Sequence, residues 1–101
     1  MEAYKQAHRA LCFYGEVKRT KTAGGEKTAA FLARINAALA NLSQEEQITI
    51  QALYIRQMTQ EQAAEAMECD TSTVSRRKRR ALERLGLILY PDQYLQESGL
   101  H

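Results

Sequence analysis

Residues 59–85 read TQEQAAEAMECDTSTVSRRKRRALERL, and the organisation of the chain follows from how this stretch divides. Its first part is acidic and rich in alanine. Thr59 is followed three residues later by Gln62, a pairing that lets each side chain satisfy the other's backbone amide, so a short helix is expected from Gln60 through Met67. Asp70 stands as a second N-cap before Thr71. A longer helix should then run to about Leu85, with Gly86 in the position where a left-handed residue closes a helix. Within that helix Val74, Ala81, Leu82 and Leu85 share one face, which leaves Thr71, Ser72, Ser75, Arg76, Arg79 and Arg80 outside. Two helices joined by so short a turn need small side chains where they touch. Ala63 and Ala64 provide them, with Cys69 as a small core residue of the turn. The pattern is that of a helix-turn-helix.

Charge separates sharply about this unit. From Ser43 to Asp70 six acidic residues accompany one basic residue, Arg56, whereas from Arg76 to Arg84 six basic residues accompany Glu83 alone. The net charge of the whole chain is only +2, so the arrangement carries more information than the total. An outer helix face that begins with short hydroxyl side chains and becomes cationic suits a nucleic-acid groove. Hydroxyls and Arg76 can reach base edges, Arg76 by a fork to guanine, while Arg79 and Arg80 suit phosphates. A solvated basic face is the plain alternative; the tight turn, the serial caps and the inward alanines favour double-stranded DNA as the partner.

Upstream, Ser43 and Glu46 form another capping-box pair, so a helix should start near Gln44 and end around Arg56 or Gln57, with Ile48, Ala52, Leu53 and Ile55 inward. Phe31, Ile35, Ala38, Leu39 and Leu42 mark a helix from about Glu26 to Ala40. Tyr4, Ala7, Leu11, Tyr14 and Lys18, with Ala10, Phe13 and Val17 beside them, mark another from about Glu2 to Thr20, in which Gly15 is a candidate bend or early end. A break containing Gly24 and Gly25 separates the two. With Pro91 the single proline and Ala, Gln, Glu, Arg and Leu dominant, the expected fold class is all-α: a small helical domain with a C-terminal helix-turn-helix and an N-terminal pair of helices. Three segments follow: 1–42, for dimerisation or a polymerase contact; 43–86, for DNA; and a tail, 87–101, that docks or frays.

Other chemistry finds little support. Cys12 and Cys69 are far apart and lack the spacing of a zinc site, which suggests two reduced thiols. No apolar run approaches a membrane span, and the start MEAYKQAHRA lacks a signal peptide's apolar core, so a cytoplasmic protein is expected. GGEKT at 24–28 lacks the glycines and preceding strand of a phosphate loop. His8 and His101 lack partners at catalytic or metal-binding spacing and read as surface histidines. Neither an enzyme nor a metal or cofactor site is expected.

From Leu42 to about Leu85 the sequence resembles region 4 of bacterial sigma factors: a leader helix beginning LSQEEQ, then TQEQAAEAM, the turn ECD and TSTVSRRKRRALERL. The resemblance implies that Thr71, Ser72, Ser75 and Arg76 occupy base-reading places and that Thr59 to Gln62 lies against the backbone. With Gln60, Thr73, Lys78, Arg79 and Arg80, these are the candidate DNA-binding residues. Glu68 stands where the family commonly has glycine, and Arg77 replaces a usual apolar residue. The short helical front end is similar in architecture to the small phage-encoded transcriptional regulators of the ArpU-like group. That likeness implies a phage or prophage regulator. Because one recognition helix reads only a few base pairs, a homodimer or a contact with RNA polymerase through the N-terminal helices is expected. A module that grips RNA polymerase or another regulator, with only non-specific DNA affinity, is the alternative.

Overall fold

The computed structural model describes residues 2–20 and 25–92. Among them the chain forms α1 (Glu2–Thr20), α2 (Glu26–Leu39), α3 (Gln44–Ile50), α4 (Gln60–Ala66) and α5 (Thr71–Leu89), with no strand. The fold is all-α, as the sequence indicates. Most of the expected break before α2, the tail from Gln93 onward and His101 lie outside the described residues.

Both capping boxes form. The Glu46 amide donates to Ser43 Oγ at 3.1 Å while the Ser43 amide donates to Glu46 Oε1 at 2.9 Å, and Thr59 with Gln62 repeats the arrangement at the same two distances. Asp70 caps α5 differently. Its backbone is extended as an N-cap requires, and its carbonyl accepts from Thr73 and Val74, but its side chain makes no capping bond.

After Ile50 the helix widens into a turn, Gln51–Ile55, with i to i−5 bonding: the Arg56 amide donates to Gln51 O at 2.9 Å. The inward residues here are Thr49, Ile50, Ala52 and Tyr54, whereas the expected Ile48 is 44% exposed and Leu53 and Ile55 are only half-buried. Apolar residues lie on more than one face of this short segment, so spacing could not choose the inward one. Packing against two neighbours chose it: Ile50 and Tyr54 join the main core, and Ala52 joins a second cluster with Ala63, Ala64 and Val74 beneath α4 and α5.

The main core draws Ala7, Leu11 and Tyr14 from α1, Ile35 and Ala38 from α2, and Ala81, Leu82, Leu85 and Leu89 from α5. The N-terminal helices thus pack directly on the helix that carries the arginines. This packing corrects two readings of glycine. Gly86 does not end α5; the helix runs on to Leu89, and Gly86 is buried where a Cβ would come within 3.2 Å of the Ala3 carbonyl oxygen. Burial of Leu85 and Leu89 outweighs the cost of about 1 kcal/mol for a helical glycine. The Arg34 guanidinium on α2 donates to Leu89 O, supplying at the helix end what a glycine turn would have supplied.

Gly15 likewise does not end α1, which runs on to Thr20. A Cβ there would lie 2.0 Å from the Tyr54 carbonyl oxygen, so the glycine marks where α1 crosses the widened turn. Arg19, one turn further on, donates to Tyr54 O at 2.6 Å and to Ile55 O at 3.4 Å, satisfying carbonyls left open where that turn ends. Tyr14 Oη donates to Asn36 Oδ1, tying α1 to α2. Phe13, expected beside the inward stripe, is 46% exposed and meets Phe31 edge to face at 5.3 Å between ring centroids.

Candidate nucleic-acid interface

The rotation of α5 about its axis determines what it offers to a partner. Val74, Ala81, Leu82 and Leu85 are fully buried. The exposed side carries Ser72, Ser75, Arg76, Arg79 and Arg80, with Thr71 exposed in the first turn and Thr73 half-buried at the margin; Lys78, four residues from both Val74 and Leu82, is half-buried on their side and lines a pocket with His8. On α4, Thr59 and Gln62 are exposed and Gln60 is half-buried. Thr59 and Gln62 already hold each other in the capping box, which fixes the start of α4, whereas Gln60 has no such bond to give up.

The connection between α4 and α5 has a defined geometry. The Cys69 amide donates to Ala64 O at 2.9 Å and the Glu68 amide to Glu65 O at 3.2 Å, the paired bonds of a Schellman closure. This closure needs a left-handed residue, and Glu68 takes that role with φ of 54°. The usual turn geometry is thus reached without glycine, at a cost of about 1–2 kcal/mol for an L-residue in this region. Glu68→Gly should relieve that cost and, after the larger entropy loss of glycine on folding, raise stability by about 0.5–1 kcal/mol. Thermal unfolding measures it; a lower midpoint than the parent would contradict the assignment.

The cations of α5 differ in their existing partners. Arg76 Nη2 donates to Thr73 Oγ1 at 3.2 Å, a neutral partner on the same helix. Arg79 Nε stands 4.0 Å from Glu83 Oε1, an exposed pair of little energetic weight. Arg77 turns the other way. Its guanidinium reaches Glu45 Oε2 at 3.6 Å and ties α5 to the start of α3, which explains how an arginine occupies a commonly apolar position. Beside this pair lies an open groove of about 700 Å³, where Arg76, Arg77, Arg80 and Arg84 face Ser43 and Glu45. Arg77 and Arg84 are not among the candidate DNA-binding residues of the sequence; the i, i+4, i+8 spacing of Arg76, Arg80 and Arg84 is the signal that places the second in this groove.

His8 is exposed, as the sequence indicates, but it has partners. Its Nδ1 lies 2.7 Å from Tyr54 Oη, and its Nε2 lies 3.6 Å from Cys12 Sγ. Desolvation, then the Lys78 and Arg9 charges, hold its pKa below the ordinary histidine value. Burial pushes the Tyr54 hydroxyl above its own. Among the described residues, no group of three or more His, Cys, Asp or Glu could hold a metal ion, and no helix is long and apolar enough to cross a membrane.

Residues 38–86 match the family Sigma-70, region 4. The match spans just under half of the chain, from the last turn of α2 to Gly86 in α5, and takes in both capping boxes, the Schellman turn and the arginine-bearing face. No match to a curated protein or to a solved structure was found. The fold is therefore all-helical with a sigma region 4-like helix-turn-helix, and that family is a DNA-binding, non-enzymatic domain. The sigma region 4 likeness leaves α1 and most of α2 outside it, although these helices share the core of the matched part.

Proposed function

We propose that this chain is a sequence-specific, double-stranded-DNA-binding transcriptional regulator of the small phage- or prophage-encoded kind. The observation that carries the reading is the division of α5: Val74 and Leu82 are fully buried, so Ser75 and Arg76 face outward on the side opposite the core. In this reading Thr71, Ser72, Ser75 and Arg76 meet base edges in the major groove. Thr73, Lys78, Arg79 and Arg80 engage phosphates, and Thr59, Gln60 and Gln62 bring the start of α4 against the backbone, where helix-terminal amides favour an anion.

One recognition helix reads only a few base pairs, so specific occupancy calls for two copies or a second contact. The division of labour is 1–42 for a dimer or polymerase contact, 43–86 for DNA, and 87–101 as a tail. The inner face of α1 is occupied by α5, so any partner of the N-terminal helices meets their outer surface, where Phe13 and Phe31 pair.

Exposed Ile48, Leu87 and Ile88 favour a second reading, a module that grips RNA polymerase or another regulator. Selection of bound sequences from a random duplex pool separates the two. Enrichment of a palindrome supports the dimeric regulator, and enrichment of a single short element supports a monomer that reads DNA. No enrichment, with polymerase recovered in a pull-down, supports the interaction module and overturns the proposal.

A further inference from the structure

Cys12, His8 and Tyr54 form a connected set that the DNA reading does not use. Cys12 is exposed on α1, and His8, one turn earlier on the same helix, presents Nε2 to its sulfur at 3.6 Å. The other ring nitrogen is held by Tyr54 Oη at 2.7 Å, and the two rings meet edge to face at 5.4 Å. This is the arrangement of an activated nucleophile: a thiol, a base within reach of its proton, and a third group that orients the base. The three residues line an open pocket of about 300 Å³ whose other walls include Arg19, Gln60 and Lys78. A thiol with a neighbouring base thus opens onto a volume large enough for a small adduct. That volume is shared with α4 and α5.

We propose that Cys12 is a thiol-modification site that takes low-molecular-weight disulfides, with His8 as its base, and that the resulting mixed disulfide fills the pocket beside Gln60 and Lys78 and weakens DNA binding. The second half rests on the DNA-binding reading; the first does not. In the reaction, His8 Nε2 accepts the Cys12 proton and the thiolate attacks one sulfur of the disulfide. A new S–S bond forms as the original one breaks, and the departing thiolate takes the proton back from His8. Nothing is oxidised beyond what the disulfide itself brings. The charged and titratable groups around His8 are Arg9 and Arg19 on α1, Lys78 on α5, Tyr54 in the widened turn, and Cys12; burial first, then the charges of Lys78 and Arg9, favour its neutral imidazole. An anionic adduct such as that from oxidised glutathione would in addition bring carboxylates next to Lys78, setting like charge against DNA phosphates.

The test uses the full chain and oxidised glutathione, with modification followed at each cysteine by peptide mass. Cys12 is expected to react at least tenfold faster than a cysteine in an unstructured peptide, and His8→Gln and Tyr54→Phe, each checked for helical content, are each expected to remove most of that advantage. Modified protein is expected to bind a duplex at least fivefold more weakly, and a Cys12→Ser chain exposed to the same disulfide is expected to bind unchanged. A Cys12 rate no greater than that of the peptide, or one unaltered by both substitutions, overturns the site. Fast, His8-dependent modification that leaves duplex affinity intact overturns its effect on DNA. If the unmodified chain binds no duplex at all, the DNA reading fails while the thiol result stands on its own.

Discussion

Gly15→Ala is expected to lower the free energy of unfolding by about 2–3 kcal/mol, although alanine is the better helix former by about 1 kcal/mol. The reason is position. The added Cβ would fall 2.0 Å from the Tyr54 carbonyl oxygen, and the obstacle is backbone that cannot rotate aside. Moving α1 away would pull Arg19 from the Tyr54 and Ile55 carbonyls and open the packing of Leu11 and Tyr14 against Leu82 and Leu85. For a domain of this size such a loss corresponds to a fall of about 10 °C or more in the thermal midpoint. Chemical denaturation followed by circular dichroism measures it. Equal or greater stability in the alanine variant would show that α1 does not cross the widened turn at Gly15. The sign is opposite to that expected for Glu68→Gly, and the contrast is instructive: one glycine is required for space, and one glutamate sits where glycine's backbone freedom would help.

Arg76→Ala is expected to reduce discrimination between a selected duplex and an unrelated one by about fivefold to 150-fold, the span of about 1–3 kcal/mol for a bidentate contact to a base pair. In the free protein Arg76 is exposed and leans only on the Thr73 hydroxyl, so turning it toward a base disrupts little. Arg79→Ala is expected to act differently. Its exposed guanidinium suits phosphate, so its loss should weaken all sequences alike and reduce the steepness of the salt dependence by about one unit. Fluorescence polarisation against the two duplexes over about 50–200 mM salt separates the roles. Identical behaviour of the two variants would refute them.

Much of the fold was legible in the sequence because it is written in local spacing. Ser43 with Glu46 and Thr59 with Gln62 lie three residues apart and start their helices where the capping-box rule places them. Val74, Ala81, Leu82 and Leu85 fix the rotation of α5 from a single turn-by-turn pattern, and Ala63 and Ala64 mark where α4 touches it. The sigma region 4 resemblance was likewise carried by contiguous residues, and the family match covers them.

What escaped depends on residues far apart in the chain. Gly15 is a candidate bend or early end of α1 on local grounds because its reason for being there, the Tyr54 carbonyl, lies 39 residues downstream on a turn whose widening no spacing rule announces. Gly86 carries the local signature of a helix stop, and Ala3, which it packs against, sits near the other end of the chain. For His8 one partner, Tyr54, is 46 residues away, whereas the other, Cys12, lies one turn along the same helix, where the i, i+4 spacing is itself a signal. Arg77 shows the converse: its position called for an apolar residue, and only Glu45, across the groove on α3, explains a cation there. On the candidate surface of α5, periodicity tells which residues lie outward, whereas which of them are already engaged depends on contacts that spacing does not encode.

The central claim is that the surface comprising the start of α4 and the first half of α5 is the one that meets DNA. Backbone amide chemical shifts of the isotopically labelled chain, recorded as a short duplex is added, test it directly. The largest changes are expected at Thr59–Gln62 and from Thr71 to Arg80, with Phe13 and the outer surface of α1 unchanged at low protein concentration. Changes centred on α1 and α2, or none at α5 while the duplex is bound, would contradict the account.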